Sequence, residues 1–174
     1  MTYSPENIAN LLGALGTLLT DRSAQALTSQ EQAHSDQVAL LVLSKYPGCA
    51  IKDLRQALEI THSGCVRLVN RLESRGLIKR QPHEDDARAV SLGLTRRGQM
   101  AALQGFQRRE DALMPLLEAL TPEEQQSLAA IASKLLEAGA PTAAHIGRTC
   151  RMCDYDTCTT CPFHGFGQAP GALP

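Results

Sequence analysis

The sequence predicts a mainly α-helical chain that carries one small β-hairpin. Three observations predict it. Apolar residues recur at helical spacing through both ends of the chain. Residues 51–95 read as short helix, capped helix and hairpin, in that order. The chain is 43% hydrophobic but only 3% aromatic, with no tryptophan, so Leu, Ala, Val and Ile must build the core, a palette suited to packed helices. At 174 residues it can hold one globular domain, or a small domain with an oligomerisation element.

Each element has its own signal. Ser4 is a helix N-cap with Pro5 at the first helical position, and Ile8, Leu11, Leu12, Leu15, Leu18 and Leu19 follow at helical spacing. A second helix starts at Ser35, carries Val38, Leu41, Val42 and Tyr46, and stops at Pro47-Gly48. Ile51–Leu58 is a short helix. Thr61 caps the next, which runs to about Arg75 and is closed by Gly76. "LIKRQ" and "AVSLGL" are β-prone runs joined by the polar "PHEDDAR", which makes a hairpin with a charged tip. Thr95 caps a long helix that Pro115 is expected to kink or break. "TPEE" at 121–124 starts another, with a capping-box Glu124, and it ends near Gly139. Beyond it the composition shifts to Gly, Pro, Thr and Cys.

The order of helices and hairpin is that of a winged helix-turn-helix, flanked by long helices too apolar to pack on so small a unit alone. A symmetric dimer would bury them. The expected division is a dimerisation helix over 1–34, a DNA-binding domain over 35–98, further dimerisation helices over 99–140 and a cysteine-rich tail over 141–174.

On the capped helix, Cys65, Leu68, Val69 and Leu72 form the core stripe. The opposite face offers His62, Ser63, Gly64, Arg67 and Asn70 to double-stranded DNA. His62, Ser63 and Arg67 lie in the half that meets base edges, where Arg67 can bond guanine acceptors. Arg71, Arg75, Lys79 and Arg80 are placed for phosphates. Gly64 is costly inside a helix, and its missing side chain would allow close approach of DNA or of the preceding helix. The formal charge of −1 hides a local excess of bases between Thr61 and Gln99.

The run "GCVRLVNRLESRGLIKRQPHEDDARAVSLGLTRRG" resembles the central segment of the MarR (multiple antibiotic resistance regulator) family of winged-helix transcription factors. Asp86-Ala87-Arg88, then Val90–Thr95 and Gly98, match the family's wing. The resemblance covers roughly residues 5–140 and implies a homodimer on a pseudo-palindromic operator, usually repressing a nearby gene. It implies that Arg88 reaches the minor groove and that Asp86 orients it. It also implies relief by a small-molecule effector or by thiol oxidation. The peroxide-sensing branch keeps its cysteine in the first helix, and residues 5–27 contain none, so that mechanism does not transfer. Residues 141–174 lie beyond the resemblance.

There the chain reads Cys150, Cys153, Cys158 and Cys161, spaced C-x2-C-x4-C-x2-C. Paired C-x2-C turns are the usual half-sites of tetrahedral metal binding. His164 is the alternative fourth ligand, in place of Cys161. Zinc is the first choice, ahead of a disulfide switch and of an iron–sulfur cluster, which Cys161-Pro162 faintly resembles. Cys49 and Cys65 read as buried thiols, and His34, His83 and His145 as surface residues.

A thiol oxidoreductase or metal carrier is the alternative function. It lacks the βαβ pattern that usually positions a redox C-x-x-C, and no catalytic constellation appears elsewhere, so no enzyme is expected. With neither a signal peptide nor an apolar run of bilayer length, the expected setting is the cytoplasm, without a membrane partner.

Overall fold

The computed structural model describes residues 2–29, 33–82, 90–140, 142–158 and 160–163. Its elements are α1 (Pro5–Leu27), α2 (His34–Lys45), α3 (Ile51–Leu58), α4 (His62–Ser74), β1 (Ile78–Pro82), β2 (Val90–Leu94), α5 (Arg96–Leu117), α6 (Pro122–Gly139) and α7 (Ala143–Thr149). The strands pair antiparallel, from Ile78 opposite Leu94 to Pro82 opposite Val90. A bridge between Ala50 and Ser91, with Leu92 N–H donating to the Cys49 carbonyl at 2.9 Å, ties the α2–α3 turn onto the hairpin.

The core is centred on α2. Every residue from Asp36 to Leu43 is buried, because "VALLVL" is apolar on all sides and the helix is enclosed by α1, α3, α4, α5 and β2. Leu54, Leu68, Val69, Leu72, Leu77, Ile78, Leu92 and Ala102 complete the cluster. Gly105 lets α5 lie against α2. Gln37 fills the space a side chain would take, and its amide donates to the Ala101 carbonyl at 2.7 Å.

Capping follows the sequence closely. Ser4, Thr61, Thr95 and Thr121 each accept from a first-turn amide. Gly76, at φ +66°, closes α4 in the left-handed region that favours glycine. Two expectations change. Pro115 does not break α5: it sits in the last turn, and the helix continues to Leu117. The missing N–H and the ring clash fall on the carbonyl of Asp111, one turn back, and the helix runs on only through Leu116 and Leu117. The tail also carries a helix that the sequence reading did not name: α7 follows α6 with Thr142 as its cap.

Thr95 and Gly98 join the wing to the helix beyond it. The Thr95 hydroxyl donates to the Gly76 carbonyl at 2.7 Å and accepts from Gly98 N–H at 3.1 Å. A Cβ on Gly98 would overlap the backbone carbonyl of Leu77. Gly98→Ala is therefore expected to destabilise the chain by about 1–3 kcal/mol, the cost of forcing volume into a packed site. Urea unfolding of the purified variant measures this, and an unchanged midpoint would show that the helix start is not so confined.

Candidate nucleic-acid interface and thiol cluster

α4 presents its two faces as the sequence indicates. Cys65, Leu68, Val69 and Leu72 are buried, while His62, Ser63, Arg67 and Asn70 are exposed. Within the chain, the neighbour that Gly64 meets first is its own helix cap rather than the preceding helix. A Cβ there would meet the capping hydroxyl of Thr61 at 3.0 Å. Asp86 and Arg88 lie outside the described residues.

The basic residues divide into two groups. Arg67 and Lys79 are exposed and make no hydrogen bond or ion pair among the described residues. Arg71, Arg75 and Arg80, read from the sequence as phosphate contacts, already have protein partners. Arg71 grips the buried carboxylate of Asp36 through Nε, at 3.1 and 3.0 Å, and through Nη2. Arg75 approaches the same carboxylate at 3.5 Å. Arg80 pairs with Glu73 and donates to the Asn70 side chain at 2.6 Å. Sequence reasoning passed over Asp36, since a lone acid in a helix's first turn looks like an ordinary dipole partner. Its signal was its place two residues before a run apolar on every side.

The tail lies against the domain. The Tyr155 and Tyr46 hydroxyls are 2.9 Å apart, Met152 and Tyr155 pack on the main core, and Arg148 reaches Glu59 in the turn between α3 and α4 at 2.7 Å. Glu59 is in the left-handed region at φ +53°. Lys45, in the last turn of α2, donates to the carbonyls of Cys150 and Arg151 at 3.1 and 3.3 Å.

Cys150 and Cys153 act on each other's protonation, as do Cys158 and Cys161, and the two pairs are near enough to feel each other's charge. Among the described residues, no three of His, Cys, Asp and Glu are gathered as a metal-ready set, and His164 lies outside them. The neighbouring Cys150, then Lys45 and Arg109, hold Cys153 below the ordinary thiol range, and Cys153 and burial hold Cys150 above it. Burial draws Lys45 down to about 8. Cys49 and Cys65 are core thiols: burial pushes Cys49 up to about 12 and raises Cys65. His34 is half-buried rather than a plain surface residue, and its Nδ1 has no partner among the described residues.

A helix-turn-helix with an exposed polar face on its second helix, followed by a two-stranded wing, defines a winged-helix protein of the DNA-binding class. Residues 38–89 match the model of the MarR family. The uncharacterized HTH-type transcriptional regulator YwhA of Bacillus subtilis is 31% identical over 98 residues, spanning 56% of this chain and 70% of that protein. The crystal structure of RV1404 from Mycobacterium tuberculosis superposes with a TM-score of 0.69 at 26% identity, covering 80% of this chain and 97% of that one. Rv2887 of the same organism, solved in complex with DNA, superposes with a TM-score of 0.62 at 23% identity, over 76% of this chain and 98% of that one. The chain belongs to the MarR family. Among the described residues no helix is long and apolar enough to cross a membrane.

Asp36→Asn removes the charge that Arg71 and Arg75 share. Arg71 is about half exposed (46%), so solvent screens part of the loss. The expected destabilisation is about 1–2 kcal/mol, the lower part of the range for hydrogen bonds to charged groups. Denaturant unfolding tests it, and a stability equal to wild type would remove the anchor from this account.

Proposed function

We propose that the chain acts as a homodimer that binds a pseudo-palindromic operator in double-stranded DNA and represses a neighbouring gene. The supporting observation is the exposed amino-terminal face of α4, where Arg67 stands without a protein partner among the described residues beside His62 and Ser63. Arg67 reads guanine in the major groove and Lys79 contacts phosphate. Arg71, Arg75 and Arg80 add positive potential from positions that their ion pairs hold. The family resemblance gives the minor-groove role to Arg88, with Asp86 orienting it.

Dimerisation follows from apolar surface that one chain leaves uncovered. α6 has no buried residue, and Leu128, Ile131 and Leu135 are exposed along it. Ile8, Leu11, Leu12, Leu15 and Leu18 are exposed along α1. Two such faces in one chain exceed what a monomer ordinarily shows to water.

The tail is the sensing element of this reading: its cysteines bind metal, zinc first, or change redox state. A cleft of about 870 Å³, lined by Lys45, Lys79, Phe106, Asp154 and Tyr155 among others, is where a small-molecule effector would lodge.

Selection from randomised duplexes with the full chain is expected to enrich one inverted repeat. On that duplex Arg67→Ala weakens binding about 10–100-fold, whereas Lys79→Ala lowers the slope of log affinity against log salt by about one. No enrichment over random DNA would sink the reading. For the dimer, Leu15→Asp combined with Ile131→Asp is expected to yield monomers in sedimentation equilibrium, and an unchanged dimer would place the interface elsewhere.

A further inference from the structure

The turn between α3 and α4 carries a charge of the wrong sign for DNA. Glu59, the C-cap of α3, stands two residues ahead of Thr61, the cap of α4, and its side chain is exposed. In a helix-turn-helix the first helix crosses the phosphate backbone and the amino-terminal end of the second enters the groove, so the turn joining them lies close to phosphate. A carboxylate there repels the duplex over about a Debye length, roughly 8 Å at physiological salt. The position is also an unusual one for a side chain. Glu59 is the non-glycine residue of positive φ among the described residues, at +53°, where glycine would relieve the backbone. The tail answers its charge. Arg148, eighty-nine positions further along the chain, donates from Nη1 to Glu59 Oε1 at 2.7 Å. Among the described residues this is the ion pair that Glu59 makes. The backbone that carries Arg148 is held in place: α7 lies against α3, Ile146 and Cys150 are buried beside Ala140, and Lys45 donates to the carbonyls of Cys150 and Arg151. The Arg151 guanidinium in turn donates to the Arg148 carbonyl at 2.5 Å.

We propose that the tail completes the DNA-binding surface: Arg148 neutralises Glu59 in the helix-turn-helix and so lets α4 approach phosphate without repulsion. The inference rests on the reading that α4 binds duplex DNA. Arg148 is a positioning residue in this scheme, since it acts through Glu59 rather than on the duplex. An exposed pair of this kind adds little to stability, so its consequence is the field in front of α4. In a symmetric dimer the correction is made once per half-site, and the two effects multiply in the affinity for the whole operator. Release of the tail from α3 would expose both carboxylates to the duplex at once. The region beyond the last long helix thereby gains a part in DNA binding that needs no contact of its own with a base.

The test is a double-mutant cycle with the full chain on the duplex isolated by selection, read by fluorescence anisotropy between about 50 and 200 mM salt. Arg148→Ala is expected to weaken binding about 3–10-fold at the low end of that range, and the deficit to narrow as salt rises. Adding Glu59→Gln to Arg148→Ala is expected to restore the affinity to within about twofold of wild type, because no carboxylate is then left to neutralise. A role confined to docking the tail predicts no such rescue, since the docking contact is lost whichever residue stands at 59. Circular dichroism confirms that each variant is folded. Wild-type affinity in Arg148→Ala, or a deficit that persists undiminished after Glu59→Gln, overturns this inference and leaves the DNA reading standing. Failure of wild type to retain any duplex overturns the DNA reading and this inference with it.

Discussion

A helix packed on every side can exchange charge with the rest of the molecule only through its ends, and α2 places a charge at each. At its start, the buried carboxylate of Asp36 holds Arg71 and Arg75 of the recognition helix region. At its end, Lys45 is roofed by the backbone of Cys150 and Arg151. The Asp36 carboxylate is enclosed with Val38 to Leu43, whereas Lys45 is partly covered and held by the two tail carbonyls. The setting of α4 and the docking of the tail therefore depend on the same rigid element.

That arrangement gives the tail a physical route to the DNA-reading surface. Tyr155 and Lys45 bind the tail to the far end of α2, and Arg148 binds it to the turn between α3 and α4. The Arg148 pair is exposed and contributes little by itself. The buried contacts around Lys45 and Tyr46 carry more weight, because their alternatives are unsatisfied polar groups.

Much of the fold was legible because its signals are local. Thr61, Thr95 and Thr121 announce helix starts through hydroxyls that cap them, and Gly76 announces an end through its left-handed conformation. The buried face of α4 follows from apolar spacing alone. What escaped depends on contacts distant in sequence. Arg71 looks like any exposed arginine until Asp36, thirty-five positions away, is brought against it. Lys45 looks like a helix-ending lysine until the tail covers it. Pro115 does not end the helix where it stands, and only Leu116 and Leu117 follow it. α7 was missed because a seven-residue helix carries too little periodicity to stand out from a Gly- and Thr-rich segment.

The central claim is that α4 and the wing read double-stranded DNA as a symmetric pair. Hydroxyl-radical footprinting of the full chain on a duplex isolated by selection tests it most directly. The account predicts two protected stretches related by a dyad, with centres about one helical turn apart, roughly 10–10.5 base pairs. Protection that is uniform along the duplex, or confined to a single unpaired stretch, would contradict it.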